Sequence, residues 1–501
     1  MKHIPFNYFQ LIIVPVCLFE YLIGDHPNLN IIAWITPVLW LVFFYFTKPF
    51  YAMLTGLVCL TLIYSMQHQV NILHGVSFHL TNLFFSLTYL LPFLINRLLY
   101  NRIPITFRWL LLPLCGVTVE YLMSLSSNGT WGSVGYSQTN IYLLQLLSVT
   151  GIYGIVFVIY LNAALLFEVI LPAFHKKARF RFAGFASGLL VLAFGFGFVR
   201  LQMANPVKQK VKVMGLTFQG KEAWPWFQEM VWQGNVSIQQ RKKEISLKSI
   251  RTNLFYLQET KKTIRVYHPK WVIWNEASLL VLQTDYLSFV QVNSRFAKEN
   301  GVFLGLPYYL AGNGFPRQKA ENHFTIFTPD GKIIYDYQKN KPVDQMEPAL
   351  ASTMKPTVFA TGGIMYSGAI CADFDYPQLI RHMRKADLVF APSADWPGIK
   401  DLHADMANAR AIENGFALFR ITGNGKSSVS DSRGQILDSQ YHLKRATQLL
   451  ISDVPIGKRK TLYAAVGDLF SWLCLAGVAI VLVYAIITHT QMKDMERIER
   501  L

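Results

Sequence analysis

A 501-residue chain that is 52% hydrophobic and only 15% charged, with a mean hydropathy of +0.28, carries more apolar surface than one soluble domain buries. Its net charge of +17 comes with no fold signature of nucleic-acid binding, so no nucleic-acid partner is expected. The composition implies a membrane protein.

Apolar stretches long enough to cross about 30 Å of hydrocarbon as helix lie near residues 5–23, 31–47, 50–66, 79–96, 105–124, 142–171, 183–200 and 466–488. Seven of these fall within the first 200 residues, separated by short loops. The first lacks a small-x-small cleavage site and counts as a span, not a signal peptide. Lys2, Lys48, Arg97, Arg102, Arg108, Lys176, Lys177, Arg179, Arg181, Lys493, Arg497 and Arg500 all fall on one side of an eight-span layout. The opposite loops, 24–30, 67–78 and 125–141, contain no Lys or Arg. Because basic residues in short loops stay cytoplasmic, both termini are expected inside and residues 201–460 outside. The expected division is a seven-helix membrane domain over 1–200, a catalytic domain over 201–460, and an eighth helix with a short basic tail over 461–501.

Residues 201–460 hold 34 Lys and Arg against 22 Asp and Glu, a surplus of 12 positive charges. The clusters Arg241-Lys242-Lys243 and Lys261-Lys262 fit either anionic headgroups or an ordinary solvated helix face. Cys17, Cys59, Cys115 and Cys474 lie in expected spans, leaving Cys371 as the outer domain's sole thiol, with no disulfide available to it. A lone thiol there is either kept for reactivity or buried as a small hydrophobe.

The outer segment alternates short β-rich runs with helical patterns, an α/β domain. Strands are predicted at 211–218, 271–274, 302–310, 323–328, 332–337, 363–371, 388–392 and 417–423, and helices at about 228–263 and 284–299. Cys371 ends an apolar run and precedes Tyr376-Pro377, where Pro suits the first turn of a helix running to about Lys385. A thiol at such a turn sits near the positive end of a helix, which favours thiolate. Glu276, two residues past Trp271–Trp274, and Lys339, just past Tyr337, lie at strand ends where α/β sites form. A base and an oxyanion-stabilising cation are what a nucleophile needs beside it.

Glu276 in Trp-Asn-Glu-Ala-Ser, Lys339 in Tyr-Gln-Lys-Asn-Lys and Cys371 in Ile-Cys-Ala-Asp resemble, in order and approximate spacing, the Glu-Lys-Cys triad of the nitrilase superfamily. The stretch from His403 to Gly415 resembles the helix that follows the nucleophile there. Glu347, eight residues after Lys339, resembles a second functional glutamate of the membrane-bound branch, the apolipoprotein N-acyltransferases. Residues 131–165, including Gly135-Tyr136-Ser137-Gln138 and Gly151-Ile152-Tyr153-Gly154, resemble that branch's loop and following span. Three neighbourhoods depart from the family pattern. They are Trp274-Asn275-Glu276 for Trp-Pro-Glu, Cys371-Ala372-Asp373 for Cys-Tyr-Glu, and Ser393-Ala394-Asp395-Trp396-Pro397 for Thr-Asn-Asp-Ala-Trp-Phe.

The resemblance implies an eight-span α-helical transmembrane bundle carrying an αββα sandwich on the outer face of a bacterial inner membrane. It implies acyl transfer from a phospholipid such as phosphatidylethanolamine, through a Cys371 thioester, to a diacylated lipoprotein, with no cofactor or metal. Glu276 would be the base, Lys339 the oxyanion partner, and Glu347 and Asp373 supporting groups, Glu347 being open to a second reading as a surface carboxylate. The aromatic run Trp224, Trp226 and Phe227, with Trp232, reads either as a lid over the acyl chain or as ordinary packing. The alternatives are a membrane-tethered amidase, in which water resolves the thioester, and a non-catalytic membrane sensor. Reporter fusions test the layout: a fusion at about residue 176 should report cytoplasm and one at about 240 the exterior. A cytoplasmic signal at 240 would remove a lipoprotein substrate.

Overall fold

The computed structural model describes residues 11–25, 30–67, 73, 75–170, 176–203, 207, 209–218, 238–343, 346–443 and 447–498. The chain divides into two compact units, Met1–Met203 with Ala465–Leu501, and Ala204–Ala464.

In the first unit, among the described residues, five helices are long and apolar enough to cross a membrane: Pro49–Met66, Gly75–Leu99, Ile152–Ile170, Phe180–Gln202 and Leu469–Thr488. Ile152–Ile170 is the centre of this unit, 83% buried, while at most 33% of any of the other four is covered. Their bare apolar faces suit hydrocarbon. Among the described residues, three expected spans are shorter as helices, at Ile13–Asp25, Ile32–Phe46 and Leu111–Ser124. Fourteen residues of helix rise only about 21 Å. The expected span 142–171 is also interrupted, since Leu147–Thr150 ends at Gly151, whose φ of +65° lets the chain turn before Ile152.

One buried ionic group in this unit is matched. Arg108 pairs with Glu168 at 2.7 Å and lies 4.4 Å from the Tyr100 ring centroid, and the Tyr100 hydroxyl also donates to Glu168. Cys115, Leu111 and Leu99 pack with Val478 and Ala485, so the C-terminal helix and the N-terminal helices share one core.

The second unit is a sandwich of two sheets. The first contains β1 (Gln209–Thr217), β2 (Trp271–Trp274), β3 (Leu279–Leu282), β4 (Phe303–Ala311), β5 (Glu321–Phe327), β6 (Ile333–Gln338) and β13 (Gln448–Ile456), in the order β13-β1-β2-β4-β5-β6 with β3 also beside β4. The second contains β7 (Phe359–Thr361), β8 (Ile364–Gly368), β9 (Leu388–Ala394), β10 (Ala417–Gly423), β11 (Gly425–Ser430) and β12 (Ile436–His442), in the order β12-β11-β10-β9-β8-β7. β1, β2 and β4 are parallel, as are β8, β9 and β10. β1 pairs antiparallel with β13 from Gln209↔Ile456 to Thr217↔Gln448, which brings the entry and exit of this unit together.

Alternation along the strands builds the layers. Val213, Trp271, Ile273, Phe324 and Ile326 meet Tyr366, Phe390, Phe419 and Ile421 between the sheets. Met214, Leu216, Val272, Trp274, Leu304 and Leu306 point the other way, against helices Ile238–Tyr267 and Tyr286–Asn300. Helix Leu402–Asn414 lies near β10 and β11 on the second sheet. The result is α/β in the predicted αββα order. The predicted helix from Pro377 to Lys385 is instead a four-residue helix, Pro377–Ile380, and a 3-10 turn, Arg381–Met383, because the chain must bury Met383 and Ala386 before entering β9 at Leu388. Residues Trp224, Trp226, Phe227 and Trp232 lie outside the described residues.

Candidate active site

The sheets deliver their site residues to one end. Glu276 follows β2, Lys339 follows β6, Cys371 follows β8, and Glu276 N–H donates to Ser393 of β9 at 3.2 Å, tying the two sheets together there. The approach to Glu276 is fixed by Asn275, whose side chain accepts from Phe218 N–H at 3.1 Å and donates to the Glu276 carbonyl at 2.8 Å. Those bonds account for a buried Asn where the resembling family has Pro.

Lys339 is fully buried and its ammonium lies between two carboxylates, 2.8 Å from Glu276 Oε1 and 2.5 Å from Glu347 Oε1. Burial opposes its charge, but Glu276 and Glu347 override that and hold the ammonium well above the ordinary lysine range. Asn322, opposite Lys339 across β5 and β6, accepts from Lys339 N–H at 2.7 Å through its carbonyl and donates its side-chain amide to Glu276 at 2.8 Å. The Glu347 side chain is 7% exposed, not a surface carboxylate, and burial pushes it up to about 7 against the pull of Lys339.

Cys371 opens the 3-10 turn Cys371–Asp375 with φ of +47°, a left-handed conformation unusual for a residue with a Cβ. Asp373 clamps that turn to the Lys339 loop. It accepts from Ile370 N–H at 3.0 Å, Lys341 N–H at 2.8 Å, Asn340 N–H at 3.2 Å and the Tyr337 hydroxyl at 3.0 Å. Its burial nonetheless pushes the carboxyl up to about 6.

The thiol differs from the sequence-based expectation. A four-residue helix supplies little dipole, and burial, with the charge of Glu276, pushes the Cys371 thiol up to about 11, while His403 and Lys339 pull it down. Cys371 therefore rests as a thiol near neutral pH and needs a base.

His403, Asp395, Asp375 and Arg420 form a second buried cluster against Cys371 that the residue spacing did not reveal. Donor atoms of Cys371, Asp395 and His403 all lie within 4.8 Å of one another. His403 Nδ1 is 2.7 Å from Asp395, and Nε2 is 3.3 Å from Asp375. Arg420 donates to both Asp395 oxygens, at 2.8 and 2.7 Å. A guanidinium on that carboxylate leaves poor electrostatics for a metal cation, so we assign none to this cluster. The signal was present in part, since Asp395 directly follows β9 much as Glu276 follows β2.

The Glu347 environment carries a pH prediction. An acid whose folded value is raised binds more protons folded than unfolded, so its contribution to stability is full below about pH 4.3 and is lost as pH rises through about 7. Glu347→Gln lacks this titration. Relative to that variant, the wild-type protein should lose roughly 3 kcal/mol or less of stability between about pH 5 and 8, read from thermal unfolding at each pH. A constant difference across that range would contradict the assignment.

Comparison with known proteins adds to this geometry. Residues 18–165 match the model for the apolipoprotein N-acyltransferase N-terminal domain, and residues 255–461 match that for carbon-nitrogen hydrolases. An apolipoprotein N-acyltransferase of Geobacter metallireducens is 26% identical over 401 residues, covering 74% of this chain and 72% of the relative. A 2-oxoglutaramate amidase of Bacillus subtilis is 31% identical over 156 residues, covering 28% of this chain and 58% of the relative. Among solved structures, an amidase from Nesterenkonia sp. AN1 in complex with butyramide is 17% identical, covering 50% of this chain and 93% of that one with a TM-score of 0.38. With one model on each of its two halves and relatives matched over about two thirds to three quarters of the chain, this chain belongs to the apolipoprotein N-acyltransferase family, the membrane-bound branch of the carbon-nitrogen hydrolase (nitrilase) superfamily.

Proposed function

We propose that this chain transfers a fatty acyl group from a phospholipid, with phosphatidylethanolamine as donor, through a thioester on Cys371 to the α-amine of a diacylglyceryl-modified cysteine at a lipoprotein N-terminus. The observation that carries this reading is the convergence of a buried thiol, Glu276 and Lys339 at one end of the sandwich, in a chain whose first 165 residues include the family's own N-terminal domain.

In the loading step, Glu276 takes the thiol proton as the Cys371 sulfur attacks the ester carbonyl carbon. The Lys339 ammonium, with backbone N–H groups near the turn, meets the oxyanion. The C–O bond then breaks, and Glu276 returns the proton to the departing lysophospholipid alkoxide. In the second step the lipoprotein amine attacks the thioester, Glu276 accepts the amine proton, the C–S bond breaks, and the thiolate recovers a proton. Glu347 and Asn322 hold Lys339 and Glu276 in place, and Asp373 holds the Cys371 turn.

Both substrates are membrane-anchored, which accounts for joining this domain to apolar helices. The layout we favour has eight spans, the three shorter helices Ile13–Asp25, Ile32–Phe46 and Leu111–Ser124 among them, with both termini cytoplasmic and the sandwich periplasmic. The chain would sit in a bacterial inner membrane. A tethered hydrolase is the competing reading, favoured by the amidase relative. What favours transfer is the match over 18–165, which a hydrolase of a small amide would not need. Intact-mass analysis after incubation with phosphatidylethanolamine should show one acyl adduct, absent in Cys371→Ala and in Glu276→Gln. Wild-type protein that stays unacylated, or a Cys371→Ala variant that keeps substantial activity, would overturn the proposal.

A further inference from the structure

The Glu-Lys-Cys chemistry uses one side of the sulfur. The other side carries groups that the mechanism leaves unassigned: His403, from the first turn of helix Leu402–Asn414, and the acidic pair Asp395 and Asp375. His403 is 3% exposed, and Asp395 5%, so neither is there to meet solvent.

The two carboxylates bracket the ring. Asp395 lies against Nδ1 and Asp375 faces Nε2, so each ring nitrogen has a carboxylate to which it can donate. Arg420 is 3.1 Å from Nδ1 and shares Asp395, so Asp375 supplies the carboxylate that the guanidinium does not offset. The sulfur of Cys371 is the third group against the ring, and Glu276, Lys339 and, through Lys339, Glu347 surround the sulfur from the opposite sheet. Burial opposes a charged ring, but Cys371, once it is a thiolate, with Asp395 and Asp375 raises it well above the ordinary histidine range.

We propose that His403 is a catalytic residue of the acyl transfer: its imidazolium, held between Asp395 and Asp375, faces the Cys371 sulfur and stabilises the thiolate both as it forms and as it is expelled from the thioester. This deepens the proposed function and rests on it for the second half of the claim. His403 keeps its proton throughout. During loading the thiol proton goes to Glu276 while negative charge on sulfur grows against the imidazolium. During discharge the amine nitrogen–carbon bond forms, the carbon–sulfur bond breaks, and the electron pair returns to a sulfur that faces a positive charge. A thiol raised by burial is otherwise a poor leaving group, because the thiolate it must become has no water around it. Glu276 does not supply that positive charge, since as a carboxylate it raises the thiol and once protonated it is neutral.

The test uses full-length protein in lipid nanodiscs with Cys17, Cys59, Cys115 and Cys474 replaced by Ala, so that iodoacetamide reports Cys371 alone. His403→Asn keeps an amide donor for Asp395, and His403→Gln keeps one for the Nε2 side. In variants that melt like the parent, alkylation at about pH 8 should slow about tenfold or more, the effect of moving the thiol up by about one pH unit. A merely structural role for His403 would loosen the site and leave alkylation equal or faster, and that result would overturn the proposal. Should neither variant fold, ring-15N-histidine solid-state NMR of the parent decides it. At about pH 8, where an ordinary histidine is neutral, a ring with both nitrogens protonated should shift when Cys371 is alkylated. If no doubly protonated ring responds, the proposal fails. Neither readout involves an acyl donor, so a parent protein that never loads from phosphatidylethanolamine would count against the acyl-transfer reading alone.

Discussion

Everything in the candidate site is arranged around one buried ammonium. Lys339 has no exposed surface, and an isolated charge in that position would cost far more than a domain's whole stability margin. Two carboxylates within 2.8 Å remove the penalty, and they come from different parts of the chain: Glu276 after β2 and Glu347 beyond β6. The ion cluster therefore fixes the ends of both segments. Asn322 completes it from β5, so three strands of the first sheet are locked in register where the chemistry occurs. Such a cluster is weak evidence for stability but strong evidence for position, because loss of one partner leaves a charge uncompensated.

Cys371, the proposed nucleophile, is positioned by a separate constraint. Cys371 is left in a left-handed turn that Asp373 holds by four hydrogen bonds, and three of those come from the Lys339 side. One carboxylate thus couples the Cys371 turn to the lysine loop. Burial keeps the sulfur as a thiol, so reactivity depends on the ionic groups on either side of it, Glu276 with Lys339 and the His403 cluster. A sulfur held as a buried thiol reacts slowly with adventitious oxidants.

Part of this was legible in the sequence. Trp271–Trp274 is an apolar run bounded by polar residues and Ala417–Gly423 is a mostly apolar one, and both are strands with the predicted bounds. Glu276, Lys339 and Cys371 stood out because each follows such a run. β12 did not, since it is mostly exposed and has no apolar face to announce it, and β13 is defined by pairing with β1, far away in sequence. The membrane half showed its apolar content, but hydropathy does not register Gly151, where a backbone turn divides a continuous apolar run. His403 and Asp395 read as an ordinary helix start and strand end; only the facing of the strands in the second sheet brings them to the sulfur.

In the proposed reaction the loaded enzyme hands its acyl group to an amine and not to water. The direct measurement is the fate of a labelled acyl chain on Cys371 after excess phospholipid is removed, with and without a diacylglyceryl-cysteine peptide bearing a free α-amine. Acyl transfer should give a long-lived thioester alone and rapid discharge on adding the peptide, with the label recovered as the peptide's N-acyl amide. Decay to free fatty acid at one rate, whether or not the peptide is present, would contradict it.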